Sequence, residues 1–132
     1  MLKTVVVAVD GSELAQDVIK RLSWLRIASD GQVHLVYVQP PPDPDQPADL
    51  PRPHPDLSVY LEQCRQMVPC ACSAEMLIGD PASEIVRWAV TCGAQLIVIG
   101  SRGLTGFERI LQRSVSAEVV AEAPCSVLVV HG

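Results

Sequence analysis

The chain of 132 residues carries a formal charge of -5, with 48% hydrophobic and 19% charged residues, which fits one soluble globular domain over 1–132. The acidic balance argues against nucleic acid or an anionic membrane as the main partner, since either would want a basic face. No apolar stretch approaches the length of a membrane span, so no membrane partner is expected.

The N-terminus, MLKTVVVAVD, meets an aspartate after a short apolar run and lacks a cleavage pattern, so no signal peptide is expected. Within it, Thr4–Val9 is a continuous β-branched run that suits a parallel strand buried on both faces. Asp10-Gly11-Ser12 ends the run, and Ser12 is a good N-cap for the helix that follows. Ala15, Val18, Ile19, Leu22 and Leu25 then mark one helical face, and the spacing predicts an amphipathic helix to about Ala28. Asp30-Gly31 is the expected stop, followed by a second strand at Val33–Val38.

Gln39–Asp56 holds eight of the eleven prolines, interleaved with Asp43, Asp45 and Asp49. Proline at this density blocks helix and sheet pairing, so residues 39–56 read as an extended surface loop, equally compatible with a lid and with an idle insertion. Leu57–Val68 presents Leu57, Tyr60, Leu61, Cys64 and Met67 on one face and is expected to be a short second helix, ended by Pro69. Ala71–Ile78 alternates as a strand at a sheet edge. Asp80-Pro81 is a helix start with an N-cap aspartate and a proline at the first position, and Gly93 closes that third helix.

Leu96–Ile99 forms the fourth strand, and Ser114 is the expected N-cap of a fourth helix ending at Pro124. Ser126–Val130 is the fifth strand. Strands alternating with helices imply a single-domain α/β parallel sheet with helices on both faces and right-handed crossovers. The fifth strand carries no charge to blunt an exposed edge, so it is expected to pair with a second copy as a two-fold homodimer.

Candidate chemistry concentrates in GSRGLTGFERILQRSVS, residues 100–116. Glycines at 100, 103 and 106 would let backbone N–H groups approach an anion, and three of the ten basic residues, Arg102, Arg109 and Arg113, lie here. Ligands of open α/β sheets bind beyond the carboxyl ends of strands, where strand order reverses. The Asp10 and Gly100 turns would face each other across that crevice if strands one and four are neighbours. The chain has no G-x-G-x-x-G after the first strand and no G-x-x-x-x-G-K-[ST], which excludes the usual dinucleotide site and a P-loop. It also lacks G-x-S-x-G, H-E-x-x-H and a Ser/His/Asp set, so a hydrolytic enzyme is disfavoured and no catalytic residue is assigned.

The five cysteines, with no secretory signal, fit a reducing cytoplasmic setting, and Cys70 and Cys72 read as core thiols because no second ligand pair stands at zinc-like spacing. His34, His54 and His131 are scattered and suggest no shared site.

VVVAVDGS, VHLVYV, Gly79-Asp80-Pro81 and above all AQLIVIGSRGLTGFERILQRSVSAEVVAEAPCSVLVV resemble a universal stress protein across nearly the whole chain. That resemblance implies the nucleotide-binding α-hydrolase-like fold: an open, twisted, Rossmann-like five-stranded parallel sheet in the order 3-2-1-4-5, dimeric through the fifth strand. The family's second helix is often longer than Leu57–Val68, which implies a less covered sheet face or a compensating proline loop.

The family's nucleotide-binding branch carries G-x2-G-x9-G-[ST]. Gly100 and Gly103 match the first two glycines and Ser114 the hydroxyl position, whereas Arg113 stands where the third glycine belongs. By the same resemblance, Asp10 and Val38 would border adenine and ribose, with Ala8 and Val9 in the same set, and Arg102, Ser114, Val115 and Ser116 would lie along the phosphates. ATP would be the cofactor, with magnesium on the phosphates and turnover at most slow. Arg113 departs from the motif in one of two ways. It loses a positive φ or a close approach that glycine allows, or it swings out to clamp a phosphate. Two of three glycines and the serine favour retained, weakened binding. The alternative is a dimeric stress-response interaction module that binds no nucleotide and acts through protein partners.

Overall fold

The computed structural model describes residues 1–11, 14–39, 57–100 and 107–131, with the backbone alone for residues 14, 57 and 107–114. Among the described residues five strands and four α-helices alternate: β1 (Leu2–Val9), α1 (Leu14–Lys20), β2 (Ile27–Gln39), α2 (Leu57–Gln66), β3 (Ala71–Ile78), α3 (Pro81–Cys92), β4 (Leu96–Gly100), α4 (Phe107–Glu122) and β5 (Ser126–Val130). All pairings are parallel, and the sheet order is β3-β2-β1-β4-β5. The expected order and the expected neighbours β1 and β4 are both found.

The β-branched run of β1 is explained by two apolar layers. Successive side chains of a strand point to opposite faces. Val5, Val7 and Val9 pack with Ala15, Val18, Ile19 and Cys64 beneath α1 and α2. Val6 packs with Val36, Ile97, Ala82, Ile85 and Val119 beneath α3 and α4. Val5, Val6 and Val7 are fully buried, so each needs an apolar side chain whichever way it points.

Three expectations are corrected. The first helix does not reach Ala28: α1 ends at Lys20, a 3-10 turn covers Arg21–Trp24, and β2 begins at Ile27. Asp30-Gly31 is therefore not a helix stop. It lies inside β2, where the register slips from Leu2↔Ile27 to Thr4↔Gln32, so the irregularity is a bulge. Gly31 is buried there, and a Cβ would come within 2.8 Å of the Ala28 carbonyl oxygen. Lastly, Ser114 is not at an N-cap position, because α4 already begins at Phe107. The segment from Phe107 to Arg113 contains good helix formers and no breaker, so the helix runs through the serine. The Ser12 cap and the proline-rich loop over residues 40–56 lie outside the described residues.

The α3 ends match expectation. Asp80 accepts from the Ser83 amide at 3.1 Å, Pro81 takes the first position, and Gly93 closes the helix at φ 67°. The short α2 leaves Met76 and Ile78 of β3 exposed at 55% and 63%, so the outer end of that sheet face is the less covered one.

No atom lies within 4 Å of a Cβ built on Gly93, so replacing it tests backbone conformation alone. Gly93→Ala is expected to cost about 1 kcal/mol through the left-handed φ. Asp80→Ala should cost about 1 kcal/mol through the lost cap. Urea unfolding midpoints check both, and an unchanged midpoint in either variant contradicts its assignment.

Candidate functional site

The site is built at the carboxyl ends of β1, β2 and β4. In the β1–β2 ladder Val9 is level with Tyr37, so Val38 stands beside Asp10. In the β1–β4 ladder Val7 is level with Val98, and continuing that register brings Gly100 level with Val9. Asp10 and Gly100 thus lie at the ends of adjacent parallel strands. This is also where the chain order reverses, since β2 and β3 extend the sheet on one side of β1 and β4 and β5 on the other. The crevice inferred from the two turns has the neighbours it requires.

Ala8 and Val38 are half-buried on the α3–α4 face, whereas Val9 is buried on the α1–α2 face. Gly11 continues past Asp10 with φ 84°, a left-handed conformation that glycine adopts without Cβ strain. Val115 is half-buried against the α3–α4 layer, and Ser116 is a buried polar residue, 7% exposed. Arg102, Gly103 and Gly106 lie outside the described residues, as do the side chains of Arg109, Arg113 and Ser114.

Backbone position alone says something about Arg113. It lies within α4, and no non-glycine residue among those described has a positive φ. Of the two advantages that glycine could supply at this position, positive φ is therefore not needed, and close backbone approach is the one left.

One residue of this region was missed in the sequence. Tyr60 of α2 accepts a hydrogen bond from the Gly11 amide, 3.1 Å away. The Cys64 thiol stands one helical turn further along α2, and the Asp10 carboxylate acts on both groups. Burial, with lesser help from Cys64 and Asp10, holds the Tyr60 hydroxyl protonated well above the ordinary phenol range. The available signal was a tyrosine on an apolar helix face, where a buried hydroxyl needs a polar partner.

The cysteines are free and carry no metal geometry: no group of three His, Cys, Asp or Glu among the described residues could hold an ion. Cys64 is buried, while Cys70 and Cys72 are half-buried beside an open groove of about 210 Å³ lined also by Glu62, Arg65 and Gln66. His34 lies lower on β2, level with Val6, and shares a 3.0 Å hydrogen bond with Ser73 Oγ, away from the strand ends. No helix among the described residues is long and apolar enough to cross a membrane.

The fold is that of a Rossmann-like open-sheet protein whose chain order reverses between β1 and β4. The model of the universal stress protein family matches residues 1–131, and the chain belongs to that family. Universal stress protein MJ0531 of Methanocaldococcus jannaschii is 32% identical over 140 residues, covering 98% of this chain and 82% of the relative. Among solved structures, a universal stress protein in complex with cAMP superposes with a TM-score of 0.72 at 23% identity, over 98% of this chain and 97% of the other. A universal stress protein family protein from Arabidopsis thaliana with AMP bound does so with a TM-score of 0.65 at 22% identity, over 98% and 90%.

Burial, then the neighbouring Cys70 thiol, pushes the Cys72 thiol up to about 11. Only thiolate alkylates, so Cys72 should be nearly inert to iodoacetamide at pH 7.5 and gain reactivity towards pH 11. Peptide-resolved mass spectrometry checks this; labelling at the rate of an unfolded control peptide at pH 7.5 contradicts it.

Proposed function

We propose that this is a small cytoplasmic regulatory protein of the stress response that binds ATP or a related adenine nucleotide at the ends of β1 and β4. The observation that carries the reading is the parallel β1–β4 pairing, which sets the Asp10 turn beside Gly100 at the switch point. The nucleotide-bound state of two structural neighbours, one with cAMP and one with AMP, supports the ligand class.

In this reading Ala8, Val9, Asp10 and Val38 border the base and ribose. Gly100, Arg102, Gly103, Arg113, Ser114, Val115 and Ser116 lie along the phosphates. The fit rests on a glycine in left-handed backbone just after Asp10 and on the buried hydroxyl of Ser116. A divalent ion such as magnesium would neutralise phosphate charge when bound. Turnover is slow at most, because no P-loop lysine or positioned general base is present in the sequence.

Arg113 favours a second reading, in which the crevice stays empty and the protein acts as a dimeric interaction module. Both readings share the homodimer through β5. That strand has a single neighbour, β4, and its Val127, Leu128 and Val129 are only half-buried within one copy. An apolar edge of this kind is normally covered or paired.

Isothermal titration with ATP and magnesium should show binding by the natural protein. Arg113→Gly should tighten it if the arginine occupies space that phosphate needs and weaken it if the arginine clamps phosphate. Absence of heat from both proteins at millimolar nucleotide contradicts the nucleotide reading. For the dimer, Val129→Glu should raise the monomer fraction in sedimentation with far-UV circular dichroism retained, and an unchanged mass removes this interface.

A further inference from the structure

The contact between α2 and the turn after β1 has no part in holding the nucleotide as described above. Tyr60 and Cys64 are one helical turn apart, so both side chains leave α2 on the same side. Tyr60 packs against the apolar layer under α1 and α2, and Cys64 is 1% exposed within it. The Tyr60 hydroxyl oxygen accepts from the Gly11 amide at 3.1 Å.

The amide concerned belongs to the peptide that joins Asp10 to Gly11. A planar peptide moves as one unit, so holding its N–H fixes the carbonyl side as well. The orientation of Asp10 at the end of β1 is therefore tied to a helix residue 49 positions away in sequence. Gly11 is buried and sits at φ 84°, where glycine has more than one accessible backbone well. The hydrogen bond selects one of them. Burial keeps the hydroxyl neutral, so the link persists throughout the ordinary pH range.

We propose that Tyr60 is a positioning residue of the adenine-nucleotide site, presetting Asp10 through the Gly11 amide and coupling nucleotide affinity to the seating of α2. This rests on the nucleotide reading above. It adds a residue that lies outside the strand-end and glycine-loop set. Tyr60 acts through the backbone of the turn, so its effect on binding passes through Asp10.

Tyr60→Phe keeps the ring and deletes the hydroxyl. ATP affinity, measured by titration calorimetry, should fall about tenfold, the scale of one lost hydrogen bond with an amide left without its partner. In an Asp10→Asn background, Tyr60→Phe should change ATP affinity by less than about twofold, since residues acting through one another are not additive. Gly11 amide hydrogen exchange should quicken at least about tenfold in Tyr60→Phe without nucleotide, a change that general loosening of the core would spread over α2 and β1 alike.

Wild-type affinity retained in Tyr60→Phe overturns the role of Tyr60 and leaves the nucleotide reading standing. So does an equal loss on Tyr60→Phe in the natural protein and in the Asp10→Asn variant. No ATP binding by the natural protein overturns both readings.

Discussion

Strand β1 is packed on both faces and paired on both edges, and the architecture follows from that confinement. A polar side chain anywhere from Val5 to Val7 would meet apolar atoms with no water to replace its hydrogen bonds. The centre of the strand must therefore be apolar on both faces. The strand ends at Val9, and Asp10 is the first charged position beyond that run. Because β2 and β4 pair with β1 in parallel, all three carboxyl ends emerge on one side. The same constraint that excludes polar groups from the strand gathers them at its end.

The fold was readable where one residue type had one structural use. The β-branched run at Thr4–Val9 fits little other than a fully buried strand, and Asp80-Pro81 with Gly93 bracket α3 as capping chemistry requires. Asp30-Gly31 was misread because the pair marks a bend without saying in which element. Here the bend is a bulge that keeps β2 in contact with Leu2 of β1. Ser114 was misread for a related reason. A serine serves as a cap or sits inside a helix, and only the helix formers upstream, from Phe107, decide between them.

The site was legible in part. Asp10 and Gly100 were recognisable as unusual residues at strand ends, and the ladder brings those ends together. Tyr60 was not recognisable as part of that region. Its spacing places the ring in the core, and nothing local says that its hydroxyl meets an amide 49 residues earlier. Long-range polar contacts made by otherwise apolar side chains leave no periodic trace. Arg113 is the converse case: the motif departure was visible, and helical backbone at that position removes positive φ from the question.

The central claim is that the crevice between β1 and β4 receives an adenine nucleotide. Titrating ATP and magnesium into isotopically labelled protein and following backbone amide shifts tests it most directly. The account predicts saturable shifts concentrated at Asp10, Gly11, Val38, Gly100, Val115 and Ser116. No shifts at millimolar nucleotide, or shifts confined to the groove beside Arg65 and Cys72 at the other end of α2, would contradict it.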